Sequence, residues 1–189
     1  MGKFDWFWKA MGSTSERNNK KSKAVVANAH GLIEELSLLD DASLASAVAS
    51  TVRDGAIADK PRFLAGLSVA SQRTLGMTPF EVQNQAVLRL LEGDVIQMAT
   101  GEGKTLVGAM AATGFALQGK RVHLITVNNY LAARDAEWMR PLVEFFGLTV
   151  AAVTESSTRE ERVTAYRSDV IYAPVTEIGF DHLRDNQIT

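Results

Sequence analysis

The stretch Gly101-Glu102-Gly103-Lys104-Thr105 constrains this chain more than any other. It stands between a short apolar run, Val95-Ile96-Gln97-Met98, and an apolar segment rich in small residues, Thr105 to Leu117. A buried strand, a glycine bend and a helix in that order gather backbone N–H groups at the helix start, where they hold an anion without burying an unpaired side-chain charge. Gly101 and Gly103 let the chain curl tightly and approach phosphate with no Cβ in the way. In such a bend Lys104 reaches the β/γ oxygens of a nucleoside triphosphate and the Thr105 hydroxyl ligates Mg2+. Thr100, Gly101, Glu102, Gly103, Lys104 and Thr105 are therefore the candidate phosphate-binding residues, with Lys104 and Thr105 as the catalytic pair. The full pattern asks for glycine where this chain has Met98, and Ala99-Thr100-Gly-Glu-Gly-Lys-Thr instead matches the variant of helicase-like ATPases. A plain glycine turn is the competing reading, and the flanking strand and helix argue against it.

From residue 76 onward strands and helices alternate. Arg121 to Val127 reads as a second strand and Asn129 to Phe146 as a helix stopped by Gly147. Leu148 to Val153 reads as a third strand, and Thr158 to Arg167 as a helix opened by the capping box Thr158-Arg-Glu-Glu161. Val170-Ile171-Tyr172 is a fourth strand, followed by a helix over Thr176 to Asp185. Such alternation predicts right-handed crossovers and a parallel sheet, an α/β fold carrying a P-loop.

The part before residue 76 is different. Residues 24–75 read as a helical extension, with Leu32, Ile33, Leu36 and Leu39 on one face, a capped break at Asp40-Asp41, and Leu44, Val48 and Val52 on the next face. Asp54-Gly55 stops that pattern, and Phe63, Leu64, Leu67 and Val69 form another stripe after Pro61. Residues 1–23 pair Phe4, Trp6, Phe7 and Trp8 with Arg17, Lys20, Lys21 and Lys23. That composition suits either a segment at an acidic lipid surface or a short helix packed on the body ahead of a linker. The three parts are thus 1–23, 24–75 and 76–189.

Composition narrows the chemistry. With no cysteine among 189 residues, disulfides, zinc–thiolate sites and cysteine nucleophiles are excluded. A formal charge of −2 gives no whole-chain attraction for nucleic acid. The hydrophobic fraction of 46% is that of a chain with a core, yet no apolar run reaches the roughly 18 residues of a membrane span. A cytoplasmic location is expected. Of the three histidines, His123 is expected in the core of its strand, His30 as a surface or packing residue, and His182 at the surface. Tyr130, Leu131 and Trp138 are expected in the core as well.

Upstream of the glycine loop, Phe80 and Gln83 offer a ring to pack on a base and an amide to read the adenine edge, with Gln85 as the internal competitor. From here the motifs resemble the SecA family, the ATPase motors of bacterial preprotein export. The resemblance covers roughly residues 75–186. Phe80-Glu-Val-Gln83 is similar to that family's adenine-reading segment, and Met98-Ala-Thr-Gly-Glu-Gly-Lys-Thr105 to its P-loop, methionine included. Thr126-Val-Asn-Asn-Tyr-Leu-Ala-Ala-Arg-Asp-Ala-Glu137, Arg140 to Val150 and Glu177 to Asn186 follow in the family's order. Asn129 departs from the usual aspartate and Ala173-Pro174-Val175 from the usual Gly-Thr-Asn, while Glu137-Trp138 and Glu177-Ile-Gly resemble the accessory, second SecA.

The resemblance implies ATP and Mg2+ as ligands and a nucleotide held between two RecA-like halves. It also implies preproteins as substrates, a membrane channel of the SecYEG type as partner, and an N-terminal helix that touches acidic lipid. The protein would then sit peripherally on the inner face of the cell membrane, with a homodimer possible in the intact form and no nucleic-acid partner. No acidic pair here ends a buried strand: Glu34-Glu35, Asp40-Asp41 and Glu160-Glu161 lie in helical or loop texture. The family places its Walker B carboxylates beyond Thr189, so the chain is expected to be a fragment with negligible hydrolysis of its own. A nucleic-acid-remodelling ATPase is the alternative engine, and a non-catalytic helical interaction module the third.

Overall fold

The computed structural model describes residues 14–187. The expectation for the aromatic residues of the 1–23 segment falls outside them. The first element, α1 (Thr14–Ser37), is one helix that passes residues 23 and 24 without a break. Val26, Ala29 and Leu36 lie buried along it, and it packs mainly on α3 (Lys60–Leu75). Between them, Asp40 caps α2 (Asp41–Ala49) by accepting a hydrogen bond from the Ser43 amide at 2.7 Å. The helix α3 begins in the same way, with Asp59 accepting from Arg62 N at 3.1 Å and Pro61 in the first turn. Gly66 lets α2 and α3 approach closely, since a Cβ there would lie 2.1 Å from Val48 Cγ2.

The helical reading of residues 24–75 fails at one place. Val52 does not continue the face of Leu44 and Val48. It lies in β1 (Val52–Arg53), which pairs antiparallel with β2 (Ala56–Ile57). Asp54 and Gly55 both take positive φ, 52° and 71°, the geometry of the two-residue hairpin turn that Asp-Gly favours.

After α4 (Glu81–Leu91) and the glycine loop, the chain forms α5 (Lys104–Leu117), β3 (Val122–Thr126), α6 (Asn129–Glu144) and β4 (Val150–Ala152). It continues with α7 (Arg159–Ala165), β5 (Val170–Pro174) and α8 (Val175–Gln187). Strand order is β3-β5-β4, all parallel, with Val122 opposite Val170 and Val150 also opposite Val170. Asp169 ties the strand starts together: its Oδ2 accepts from Thr149 N and Oγ1, each at 2.7 Å. One sheet face joins the main core with α1 to α6, through Val150, Val170 and Tyr172. The other face carries a smaller core of Val153, Ala165, Ile171 and Ala173, against which Tyr166 and Ile178 pack.

The expected strand over Val95–Met98 does not form. A strand needs a neighbour for its N–H and C=O groups, and among the described residues none pairs with this segment. It lies beside α4, with Ile96 and Met98 packed on the core and Val95 exposed at 99%. Three of four core expectations also reverse, those for Tyr130, Trp138 and His123. Tyr130 and Trp138 are 70% and 48% exposed, and Leu131 is half-buried. His123 is exposed at the sheet edge, its ring 5.9 Å from that of Tyr166, because β3 buries only its Val122, Leu124 and Thr126 side in part.

Candidate functional site

The glycine loop heads α5. That helix returns through the turn at Gly119 (φ 80°) directly into β3, so helix and strand run in opposite directions. Gly108 of α5 packs on Leu124 of β3, with its Cβ position 3.5 Å from Leu124 Cδ2. This connection carries the helix start toward the carboxyl ends of the strands, the edge at which open parallel sheets bind their ligands.

Within the loop, Gly101 (φ 88°) and Gly103 (φ 78°) adopt left-handed backbone that other residues reach only with strain. Gly103 is required on a second count, since a Cβ there would lie 2.2 Å from Gln83 Nε2. Three bonds fold the loop onto Ala99. Its N–H donates to Glu102 Oε2 at 2.6 Å, and its carbonyl accepts from Lys104 Nζ at 2.7 Å and from Glu102 N at 3.3 Å. Lys104 is exposed, and the half-buried Thr105 hydroxyl has no hydrogen-bond partner among the described residues.

Gln83 bridges the start of α4 and the glycine loop. It is buried, with its Oε1 accepting from Phe80 N at 2.9 Å and its Nε2 donating to the Glu102 carbonyl at 2.9 Å. Its amide thus caps α4 and tethers the loop together, leaving one N–H and one lone pair for anything else. Phe80 is 73% exposed, available as an apolar platform, and Gln85 is half-buried on the same helix. Phe80, Gln83 and the loop from Thr100 to Thr105 are therefore joined in one region by the Gln83 bridge.

At the end of β3, Asn128 caps α6 by accepting from Leu131 N at 2.9 Å, and Asn129 Oδ1 accepts from Glu155 N at 3.0 Å. Arg134 binds the buried Asp135 through Nε and Nη2 at 2.8 and 2.6 Å and lies 5.7 Å over the Tyr130 ring. No group of three or more acidic or histidine residues suited to a metal occurs among the described residues.

Sequence reasoning missed a buried ionic cluster between α7 and α8. Arg162 donates to Glu177 at 2.7 Å, Asp181 at 2.8 Å, the Thr154 carbonyl at 2.7 Å and the Ser157 carbonyl at 3.0 Å. Tyr166 adds a bond to Asp181 at 2.8 Å. Burial pulls the Asp181 carboxyl upward, but its bonds from Arg162 and Tyr166 and the Arg162 charge outweigh this and hold it below the ordinary range. Burial and that same carboxylate push the Tyr166 phenol far above its usual value. The spacing of Glu177 and Asp181, four residues apart on one helix face, was the available signal.

The family model for the SecA DEAD-like domain matches residues 7–189. The chain is 62% identical over 189 residues to the protein translocase subunit SecA 2 of Corynebacterium efficiens, covering 100% of this chain and 25% of that protein. It is 51% identical over 185 residues to protein translocase subunit SecA 2 of Mycobacterium leprae, covering 97% of this chain and 24% of the relative. Against protein translocase subunit SecA 3 of Mycolicibacterium vanbaalenii the identity is 50% over 185 residues, with 97% and 24% covered. The chain thus spans about a quarter of the length of the curated relatives it matches. Motif order, the parallel sheet with its glycine loop, and a match over nearly every residue lead to one assignment: the chain belongs to the SecA DEAD-like domain family, with an N-terminal helical extension and within the SecA 2-like branch.

Proposed function

We propose that this chain is the ATP-binding portion of a SecA-type motor that couples ATP hydrolysis to preprotein export across the cytoplasmic membrane. The observation that carries the reading is the loop at the head of α5. Gly101 and Gly103 are both left-handed, Lys104 is held beside them, and Gln83 anchors the loop from below. The residues fit a triphosphate with Mg2+. The loop offers backbone donors at a helix start, a lysine within reach, and a threonine hydroxyl engaged by nothing else among the described residues. When bound, Mg2+ supplies charge neutralisation at the β/γ oxygens. Lys104 would bind those oxygens, Thr105 would ligate the ion, and Phe80 would pack on the base.

Lys104→Ala abolishes ATP binding in this reading, by calorimetry on the 189-residue chain, while the melting temperature without nucleotide stays unchanged. Equal affinity in both chains would reject it. Hydrolysis by this chain alone is proposed to be negligible. Two carboxylates of this region are bonded within the chain, Glu102 to the Ala99 amide and Asp135 to Arg134.

The proposed partners are preproteins, a membrane channel of the SecYEG type, and acidic lipid through residues 1–23, with a homodimer possible in the intact protein. A cytoplasmic protein attached peripherally to the membrane fits these partners. No helix among the described residues is long and apolar enough to cross a bilayer. The relatives' names do not favour the nucleic-acid-remodelling alternative.

A further inference from the structure

The glycine loop makes bonds that a phosphate cradle cannot keep. The amide of Glu102 is one of the N–H groups that should face the triphosphate, yet here it donates to Ala99 O at 3.3 Å. The Glu102 side chain closes the same turn from the other side, its Oε2 taking the Ala99 N–H at 2.6 Å. Lys104, the other phosphate ligand, donates to the same Ala99 carbonyl at 2.7 Å. Ala99 is thus held at both poles of its backbone by the residues whose backbone and side chain should serve the ligand. The Glu102 amide can serve only one acceptor well, so this closed turn and a loop with that amide turned to phosphate exclude one another.

We propose that the Glu102 carboxylate is a latch that stabilises the closed turn, so that this side chain lowers the affinity for nucleoside triphosphate rather than contacting it. The inference rests on the reading of this loop as a triphosphate site. A carboxylate is suited to the task because a charge-assisted bond to an amide is roughly twice as strong as a neutral one. The latch is also reversible, since Glu102 is exposed and water can replace it. Apparent affinity scales with the fraction of chains whose loop is open. A closed fraction of roughly 70–90% therefore weakens binding about three- to tenfold. Gln83, bonded to the Glu102 carbonyl at 2.9 Å, holds that residue's backbone and not its carboxylate, so it is not part of the latch.

The test uses the 189-residue chain with Glu102→Ala and Glu102→Gln, Mg-ATP binding by calorimetry, and hydrogen exchange at the Ala99 amide without added nucleotide. Glu102→Ala is expected to tighten ATP binding roughly three- to tenfold and to speed exchange at Ala99. Glu102→Gln, which keeps an oxygen but not the charge, should fall between the two. Unchanged or weaker ATP binding in Glu102→Ala, or an Ala99 exchange rate that does not move, overturns the latch. If neither the parent chain nor either variant binds ATP, the proposed function itself falls, a result separate from failure of the latch. Because Glu102 is exposed, the variants should melt with the parent; one that does not is replaced by Glu102→Ser in the same two measurements.

Discussion

Gln83 shows how much of one side chain the fold itself uses. Its amide is spent on Phe80 N and the Glu102 carbonyl, so it works first as a strut between α4 and the loop. Gln83→Ala is expected to cost about 1–3 kcal/mol of stability, since two part-buried hydrogen bonds of roughly 0.5–1.5 kcal/mol each are lost. It should also loosen the loop, which denaturant unfolding and hydrogen exchange at residues 99–104 would reveal. Gly103→Ala acts on the same contact from the other side. A Cβ on left-handed backbone 2.2 Å from Gln83 Nε2 forces the strut aside. Nucleotide affinity should then drop by tenfold or more, an estimate that follows from about 1.4 kcal/mol of strain on the bound loop. Normal affinity in this variant would mean that the bend tolerates rearrangement.

At the level of elements, local chemistry was legible and partnership was not. The caps read at Asp40 and Thr158 form, the Thr158–Glu161 capping box closing with bonds of 3.3 and 2.7 Å, and Asp59 and Asn128 cap their helices by the same local bond. These depend on residues three apart, so sequence alone suffices. Val95–Met98 reads as a buried strand by composition, yet a strand is completed by whatever lies beside it. Asp54-Gly55 reads as the stop of a helical pattern, yet α2 already ends at Ala49 and the left-handed pair turns the β1–β2 hairpin instead. The Arg162 cluster needed two helices to meet. Its removal tests their docking: Arg162→Leu leaves Glu177 and Asp181 with an uncompensated buried charge. The expected loss is about 2–4 kcal/mol, below the upper range for buried pairs because Arg184 and Tyr166 still serve Asp181 and the cluster borders an open cleft. Replacing Arg162, Glu177 and Asp181 together by Leu should recover much of this loss. A chemical denaturation series on the parent and these two variants would measure both.

For the whole molecule, acid is the condition that should unfold it. Asp40 is lowered by its bond from Ser43 N and Glu161 by its bond with Thr158 N. Asp181 is lowered despite burial by Arg162 and Tyr166. In each case the folded chain binds protons less readily than the unfolded one near pH 4. Stability is therefore fully present above the ordinary carboxylate range of about 3.9–4.3 and is lost as pH falls through the depressed folded values. Urea midpoints should be level from pH 7 to about 5 and decline below it; a midpoint rising toward pH 3 would contradict this. The location of the site belongs to sequence: glycines that must turn left-handed, a lysine and a threonine beside them, and a helix that follows are all local requirements. Tertiary structure decided what those residues bond to. It spent Gln83 on the loop, drew Glu102 and Lys104 onto Ala99, exposed His123 and Tyr130, and joined Arg162 to Glu177 and Asp181. The reason is physical: conformational preference is carried by each residue and its near neighbours, whereas burial and hydrogen-bond partnership exist only once distant segments share a surface.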